Sequence, residues 1–149
     1  MSAFTVRRSA ADELPAILAL RQEVFCVEQG VPEDLDRDGR DGAALHLVAA
    51  AGPRVIGTCR LVGGGRQETW RLGRMAVARD WRGRGVGGAI LVEAHRQAAL
   101  RGVRRVVLAA QLPARDFYAR HGYEPYGDEF EEAGIPHVAM ARVLPGGGR

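Results

Sequence analysis

The stretch Arg82-Gly83-Arg84-Gly85-Val86-Gly87-Gly88 places glycines and arginines between a strand-like segment and a long amphipathic segment. Glycine allows backbone N–H groups to turn inward and approach a ligand closely. A helix beginning here would add the unpaired N–H groups and the positive dipole end of its first turn. The stretch therefore predicts a binding site for a phosphate or pyrophosphate group. The alternative interpretation is an ordinary glycine-rich turn at the start of a helix.

The segments on either side of this stretch favour the anion site. Upstream, residues 70–77 alternate large apolar side chains with arginines, which predicts a strand with an irregularity near Gly73. Downstream, apolar residues recur at helical spacing from Val86 to Ala98, and Gly102 follows where a left-handed residue would end the helix. A strand, a glycine loop and a helix N-terminus thus follow one another in the order that phosphate binding needs.

Composition narrows the class of protein. A chain of 149 residues with 46% hydrophobic residues predicts one domain over 1–149, with 145–149 as a frayed tail. Without an apolar run of roughly 18 residues or an apolar signal core, we expect a cytoplasmic protein with no membrane partner. Cys26 and Cys59 lie in apolar surroundings without a Cys-x-x-Cys pair, which predicts buried, reduced thiols.

The absent residue types exclude several chemistries. All 21 basic residues are arginines, so a phosphate-loop lysine, a Schiff base and a lysine general base are excluded. Ser2 and Ser9 are the only serines, so no Gly-x-Ser-x-Gly nucleophile exists. The net charge of +3 is modest and the arginines are dispersed, so we expect no nucleic-acid partner.

The remaining segments predict alternating strands and helices. Ser9 and Asp12 suggest a capping motif for the first helix, in whose first turn Pro15 is tolerated. The apolar run 103–110 is typical of a buried parallel strand. Strands are predicted at 4–8, 44–51, 54–62, 70–77, 103–110, 123–126 and 137–144, helices at 14–25, 24–29, 86–98 and 112–121, and turns at 52–53 and 63–65.

Two acidic segments are interpreted as loops. Asp34-x-Asp36-x-Asp38-Gly39 matches the first half of a calcium-binding loop, but Leu45 occupies the position of the bidentate glutamate. We therefore expect a solvated loop and no metal. The acidic residues at 128–132 suggest a rim that attracts a cationic substrate.

Several motifs together resemble the GNAT N-acetyltransferase superfamily. Arg82-x-x-Gly85-x-Gly87 resembles its Gln/Arg-x-x-Gly-x-Gly/Ala signature, and Ala114-x-x-Phe117-Tyr118-x-x-x-Gly122-Tyr123 resembles its later helix-and-turn signature. The segments 20–29 and 134–137 are similar to the ElaA-like branch. The resemblance covers nearly the whole chain, and the spacing between the two signatures makes it specific.

The resemblance implies an α/β (α+β) fold whose mixed sheet is splayed between its fourth and fifth strands, with helices on both faces and acetyl-CoA in the opening. Backbone groups of Met75, Ala76 and Val77 would contact the pantetheine arm and polarise the thioester carbonyl. The pyrophosphate would be bound by amides of Arg82, Gly83, Arg84, Gly85, Val86, Gly87 and Gly88. Many members carry an asparagine after the fifth strand, where this chain has Gln111.

The expected reaction is direct attack of an amine on the thioester through a tetrahedral oxyanion, which needs a fixed hydrogen-bond donor. An acid must protonate the departing thiolate, and Tyr118 is the candidate; its alternative interpretation is a core aromatic beside Phe117. A base must deprotonate the incoming ammonium. The sequence leaves open which group does so, among Glu28, Glu68, Glu129, Glu131, Glu132, His46 and His137. Of these, Glu28 and His137 are predicted to contact the substrate.

Two other functions compete with this interpretation. Gly83-x-Gly85-x-x-Gly88 also satisfies the dinucleotide-binding pattern, but no acidic residue follows between Glu93 and Asp116, where that pattern needs one. The other is a non-catalytic acyl-CoA-binding or regulatory protein of the same fold. For the enzyme we expect a small-molecule or peptide amine as substrate, and a monomer or homodimer.

Overall fold

Strands of both orientations form one mixed sheet in the computed structural model, which describes residues 3–63 and 68–145. The strand order is β1-β2-β3-β4-β5-β8-β6, and β7 also pairs with β8. Strands β4 and β5 are parallel, whereas β1–β2, β2–β3, β5–β8, β6–β8 and β7–β8 are antiparallel. The bounds are β1 Thr5–Arg8, β2 Leu45–Ala51, β3 Arg54–Gly63, β4 Thr69–Val77, β5 Arg105–Gln111, β6 Glu124–Pro125, β7 Phe130–Glu132 and β8 Ile135–Val143.

Helical segments connect these strands, which confirms the mixed α/β class. Gly102, in the left-handed region at φ 77°, follows the long central helix as predicted. The α-helices are α1 Leu14–Arg21, α2 Glu33–Asp36, α3 Val86–Leu100 and α4 Arg115–Ala119, with a π-helical segment at Gln22–Glu28 and 3₁₀ turns at Asp41–Ala43, Arg79–Trp81 and Leu112–Ala114. In the part of the chain that is described, no helix has the length and hydropathy needed to cross a bilayer.

The ladder between β4 and β5 is short. It joins Thr69–Arg71 to Arg105–Val107, so β4 continues from Leu72 and β5 from Leu108 after the last pair. The irregularity predicted near Gly73 is at Arg74, whose φ is 54°. Part of the turn predicted at 63–65 and most of the tail at 145–149 lie outside the described residues.

Close backbone contacts divide the chain into two units. The first unit comprises 3–62 and 74–94; its core is apolar residues of α1, β2, β3 and the first half of α3, among them Ile17, Leu47, Ile56 and Ile90. The second comprises 63, 68–73 and 95–145, with a core built on β5 and β8 that includes Leu108 and Met140. Burial of each such side chain contributes about 1.5–3 kcal/mol.

Three local predictions are wrong. The N-cap of α1 is Glu13 rather than Ser9, and no side chain caps the helix. The Glu13 carboxylate instead accepts hydrogen bonds from the Ala10 N–H at 2.6 Å and from Arg7 at 2.8 Å. The Arg7 contact lowers the pKa of Glu13 to about 2. Cys26 is only half-buried, whereas Cys59 is buried as expected. The acidic segment near residue 130 is partly a strand, since Phe130–Glu132 pairs with β8.

Candidate active site

The predicted anion-binding stretch forms a tight turn before α3. Gly83 and Gly85 have φ of 76° and 82°, and a Cβ added at either would meet nothing within 4 Å. These positions thus require glycine for backbone conformation and not for space. The Ala89 N–H donates to the Gly85 carbonyl at 3.0 Å, so the first turn of α3 carries Val86, Gly87 and Gly88.

Side-chain contacts fix the segment that enters this turn. Arg54 of β3 donates two hydrogen bonds to the carboxylate of Asp80, at 2.8 and 2.9 Å. The Trp81 ring has the edge of Phe4 against it, with centroids 6.1 Å apart, and the Arg84 guanidinium lies 4.8 Å from its centroid. Cation–π contact of this kind holds an arginine while leaving its charge intact.

Close packing sets the position of α3 on the sheet. A Cβ added at Gly57 of β3 would lie 2.8 Å from Val86 Cγ1 and 2.9 Å from Ile90 Cδ1. Val86 and Ile90 are both fully buried. Glycine at position 57 therefore lets the first turns of α3 approach the strand closely.

Arg82 contacts two other residues that were predicted to belong to the site. Its Nε donates to the Val77 carbonyl oxygen at 2.9 Å, and its Nη2 lies 2.9 Å from Glu28 Oε1. The end of β4, the glycine turn and the π-helical segment are thereby brought together. Glu28 is thus an ion-pair partner of the turn.

The segment of β4 that precedes the turn alternates in burial. Ala76 is 2% exposed, whereas Met75 and Val77 on the other face are half-buried. Arg74 interrupts the regular strand just before them with its positive φ, and β-bulges and such irregularities redirect the groups that follow. Its side chain contacts the Asp36 carboxylate at 3.0 Å and the Asp36 carbonyl oxygen at 3.2 Å.

The acidic segment near Asp36 is solvated only in part, which corrects the prediction: residues 33–35 and 37–40 are exposed, but Asp36 is not. Asp36 is 4% exposed and Arg21 is fully buried against it, with Arg21 Nη2 3.2 Å from Asp36 Oδ2. We call the whole group the arginine–aspartate network. It comprises Arg21, Arg60, Arg74, Asp36, Asp38 and Asp41.

Charges within the arginine–aspartate network balance. Asp41 Oδ1 accepts from Arg21 at 2.7 Å and from Arg60 at 3.0 Å, and Arg60 also binds Asp38. The hydrogen bond from Arg60 holds the pKa of Asp38 far below its usual range. Burial alone would raise the pKa of Asp41, but the two arginines leave it lowered. With its carboxylates occupied by guanidinium groups, the segment is an anchor for the Arg74 irregularity.

In the second unit, Tyr118 is a buried residue of α4. It is 8% exposed, and its ring packs edge-on against Tyr123 and Phe117 with centroids 5.8 and 5.1 Å away. The Tyr123 hydroxyl lies 2.7 Å from His95 Nε2, and Arg142 Nη1 lies 3.1 Å from His95 Nδ1. We call Tyr123, His95 and Arg142 the tyrosine–histidine network.

The hydrogen bonds of this network define the His95 tautomer. Arginine can only donate, so His95 Nδ1 is the acceptor and Nε2–H donates to the Tyr123 oxygen. The pKa of His95 is lowered to about 4, mainly by burial and to a smaller extent by the positive charge of Arg142. The ring is neutral near pH 7, and it holds Tyr123 against Tyr118.

Gln111 and His137, both predicted site residues, are brought together as a cross-strand pair of β5 and β8. His137 is 6% exposed and its Nδ1 lies 2.6 Å from the Ile135 carbonyl oxygen. On its other side, Phe130 of β7 stacks on the imidazole with centroids 5.9 Å apart.

The other residues that were considered as general bases differ from His137 in position or in exposure. Glu68 precedes β4, and its carbonyl accepts hydrogen bonds from the N–H groups of Arg104 and Arg105. It therefore lies at the end of the strand away from Val77, about 30 Å along the chain at ~3.3 Å per residue. His46 Nε2 is 2.9 Å from the Asp41 carbonyl oxygen, and its Nδ1 is buried. Glu129, Glu131 and Glu132 are exposed. Among the described residues, no three His, Cys, Asp or Glu side chains form a metal-binding group.

Comparison with known proteins shows which family the chain belongs to. Residues 7–144 match the family model described as "Acetyltransferase (GNAT) domain". Protein ElaA of Escherichia coli is 31% identical over 138 residues, covering 91% of this chain and 90% of ElaA. The crystal structure of ElaA matches with a TM-score of 0.83, covering 95% of this chain and 99% of that one.

Two further solved structures share the fold. An acyl-CoA N-acyltransferase from Pseudomonas aeruginosa has a TM-score of 0.81 and 30% identity, with 96% of this chain and 100% of that chain covered. An aminoglycoside 6′-N-acetyltransferase, solved in complex with coenzyme A, has a TM-score of 0.77 at 14% identity, with coverages of 94% and 97%. At that identity the second likeness concerns the fold alone.

Proposed function

Since the chain belongs to the GNAT acetyltransferase family, we propose that it transfers the acetyl group of acetyl-CoA to a primary amine, acting as a single domain. The observation that carries this proposal is the sequence of features in the first unit: the irregular β4, the Arg82 turn with left-handed Gly83 and Gly85, and the first turn of α3. A non-catalytic acyl-CoA-binding protein would keep these features and lack turnover.

The residues of the turn fit a pyrophosphate. Gly83 and Gly85 leave the backbone uncovered by side chains, and the N–H groups of the first turn of α3 have no partner within the helix. Arg82 and Arg84 add positive charge, and charge-assisted hydrogen bonds are roughly twice as strong as neutral ones. We assign the pyrophosphate to the amides of 82–88 and the pantetheine arm to Met75, Ala76 and Val77, with Gln111 as a further contact.

The chemical step follows from the nature of the thioester. Attack by the amine nitrogen places negative charge on the carbonyl oxygen, which a backbone N–H of Met75–Val77 would stabilise. Loss of one oxyanion donor typically costs about a hundredfold to a thousandfold in rate. Collapse of the tetrahedral intermediate expels a thiolate, to which Tyr118 donates its phenolic proton.

Release of the coenzyme A thiol tests the proposal. The purified protein is assayed with acetyl-CoA and a panel of polyamines, peptide N-termini, aminoglycosides and arylamines, and we expect amine-dependent thiol release. Tyr118→Phe removes the phenol proton but keeps the ring against Tyr123, so kcat should fall roughly tenfold to a thousandfold. Tyr126→Phe is the matched control, because Tyr126 is exposed and packs against Arg105.

A thermal shift separates binding from chemistry in the same proteins. Acetyl-CoA should raise the Tm of the wild type and of Tyr118→Phe alike, by mass action, whereas NADP should not. A protein that gains stability from acetyl-CoA but releases no thiol with any amine would be the non-catalytic binder. Equal kcat for the wild type and Tyr118→Phe, with chemistry rate-limiting, would leave Tyr118 as a core aromatic.

A further inference from the structure

His137 occupies a defined position between two neighbouring strands. It is opposite Gln111 of β5 and opposite Phe130 of β7, and residues directly opposite one another in a ladder point to the same face of the sheet. Phe130 is 39% exposed and shields the imidazole, which is itself only 6% exposed. His137 is therefore covered on one side by Phe130.

The hydrogen bond of His137 fixes its tautomer. A carbonyl oxygen only accepts, so the 2.6 Å contact with Ile135 requires the hydrogen to be on His137 Nδ1. The neutral ring then carries its lone pair on Nε2. A backbone carbonyl that holds Nδ1–H orients the ring and makes Nε2 the nitrogen that can take a proton.

Tyr118 lies on the opposite face of the same strands. The register of β5 and β8 runs without a shift from Arg105↔Val143 to Gln111↔His137, so alternation along β8 is preserved. Arg142 is an odd number of residues from His137 and therefore points to the other face. Through Arg142, His95 and Tyr123, that other face is the one against which Tyr118 packs.

Several of the residues that share a face with His137 are small, although Val107 on the same face is buried. Ala109, Ala139 and Ala141 belong to this face by alternation, and each is partly exposed. The opposite face carries the buried Leu108 and Met140. Small side chains leave space above the sheet for an amine beside His137, on the side away from the tyrosine.

We infer that His137 is the general base of the reaction and that Nε2 takes a proton from the ammonium group of the acceptor. This inference rests on the transferase function proposed above. Glu28 is already paired with Arg82, and Glu68 lies at the far end of β4. His46 is also buried and held by a backbone carbonyl, but its lone pair is on Nδ1, which is itself buried. His137 combines the contact with Ile135 with partly exposed neighbours on its own face of the sheet.

Protons and electron pairs balance in the resulting step. The ammonium gives one proton to His137 Nε2, and the freed nitrogen lone pair forms the C–N bond to the thioester carbon. The C–S bond then breaks with its electron pair on sulfur, which takes the Tyr118 proton. Nitrogen loses its second proton, which restores the phenol through water, and His137 releases its own proton to solvent.

His137→Asn tests the assignment because the asparagine amide can still donate to the Ile135 carbonyl. For an alkylamine, kcat/KM should fall about a hundredfold to ten-thousandfold. For an amine that is already neutral at the assay pH, the loss should shrink to roughly tenfold or less, since no proton needs to be removed before attack. His121→Asn is the matched control, because His121 Nδ1 also contacts a carbonyl, that of Phe117, at 3.0 Å.

The pH profile supplies a readout that a structural role would not change. In the wild type, kcat/KM plotted against pH should fall at low pH through one ionisation, and we call this decrease the acid limb. His137→Asn should lack the acid limb. Charged groups on the same face are Glu132 of β7, Glu124 of β6 and, at the far end of β5, Arg105. Opposite His137 itself β5 presents neutral Gln111, and the Leu112–Ala114 turn has no ionisable side chain. Glu132→Gln should therefore retain the limb.

The outcomes separate the two proposals. Absence of thiol release from the wild type with every amine would overturn the transferase function and the base with it. An active wild type whose His137→Asn variant keeps both rate and acid limb would overturn the base alone. If His137→Asn does not fold, the temperature dependence of the wild-type acid limb decides: a strong dependence indicates imidazole, and a weak one, typical of a carboxylate, overturns the assignment.

Discussion

Arg21 in the first unit is fully buried against the carboxylates of Asp36 and Asp41, whereas His95 in the second unit is buried as a neutral ring between Tyr123 and Arg142. A buried charge is very costly unless it is paired, and arginine cannot lose its proton at accessible pH. The arginine therefore needs carboxylates around it. Histidine can instead lose its proton and become neutral, so a buried imidazole needs only one hydrogen-bond donor and one hydrogen-bond acceptor as partners. The two units should respond differently to the loss of a partner and to acid.

Removal of Arg21 should have the largest effect. Arg21→Met leaves the carboxylates of Asp36 and Asp41 buried with less compensating charge, and breaking a buried pair typically costs about 3–5 kcal/mol. Arg7→Met is the control, because Arg7 pairs with Glu13 at the surface, where such pairs contribute about 0–1 kcal/mol. Urea unfolding of both variants measures the difference. Equal losses would show that the arginine–aspartate network behaves as surface charge.

Acid should weaken the tyrosine–histidine network at milder pH. The pKa of His95 is about 4 in the folded protein against an ordinary 6.5. Between these values the unfolded chain binds a proton that the folded state does not, so stability falls as pH declines from about 6.5 to 4, by on the order of 3 kcal/mol. The lowered carboxylate pKa values of Glu13 and Asp38 begin to cost stability only below about pH 5, so they overlap the lower end of that range.

Replacement of His95 isolates this contribution. His95→Gln should be less stable than the wild type at neutral pH but should lose less stability on the way to pH ~4, because glutamine does not titrate. Urea midpoints measured across the window give the two slopes. Parallel curves would mean that groups other than His95 account for the acid sensitivity.

The smallest expected change in stability concerns the two non-glycine residues with positive φ among those that the structure describes. Arg74 (φ 54°) makes ion pairs with Asp36 and Asp38 that compensate for its unfavourable backbone conformation. Ala133 (φ 53°) lies in the turn between β7 and β8 next to Gly134. An alanine in this region costs roughly 1 kcal/mol, and asparagine tolerates it better. Ala133→Asn should therefore stabilise the protein by up to about 1 kcal/mol in thermal unfolding, whereas Arg74→Asn should destabilise it. A loss of stability in Ala133→Asn would contradict this account.

The sequence predicted best what depends on local periodicity. Apolar spacing gave α3 and the glycine that follows it, alternation gave β4, and a continuous apolar run gave β5, because each is specified by residues a few positions apart. Each of the two family signatures likewise lies within one short stretch. The contacts of Arg82 with Val77 and Glu28 were not predicted, since the second partner is remote in the chain.

The acidic segment shows why the rest could not be predicted. Asp36 and Asp38 have the spacing of a solvated or calcium-binding loop, and their arginine partners are far away in sequence. A signal was present in the partners: Arg60 interrupts a buried strand between Cys59 and Leu61. An arginine at an otherwise apolar strand position indicates a carboxylate near it in space.

The general base could not be chosen from the sequence either, because the choice depends on contacts between neighbouring strands. Sequence alone offered seven acidic or histidine side chains of equal standing, because exposure and tautomer depend on neighbouring strands. The β5–β8 register and the Ile135 carbonyl distinguish His137 from the others.

The close approach at Gly57 has a consequence for how this chain can evolve. Position 57 has no space for a methyl group while Val86 and Ile90 keep their present size, so the three positions should covary among homologues. The order of substitutions also matters. A lineage that first shortens residue 86 or 90 can later accept alanine at 57, whereas the reverse order passes through an overpacked intermediate. The glycine thereby becomes difficult to replace by single steps, even though it belongs to neither signature of the family.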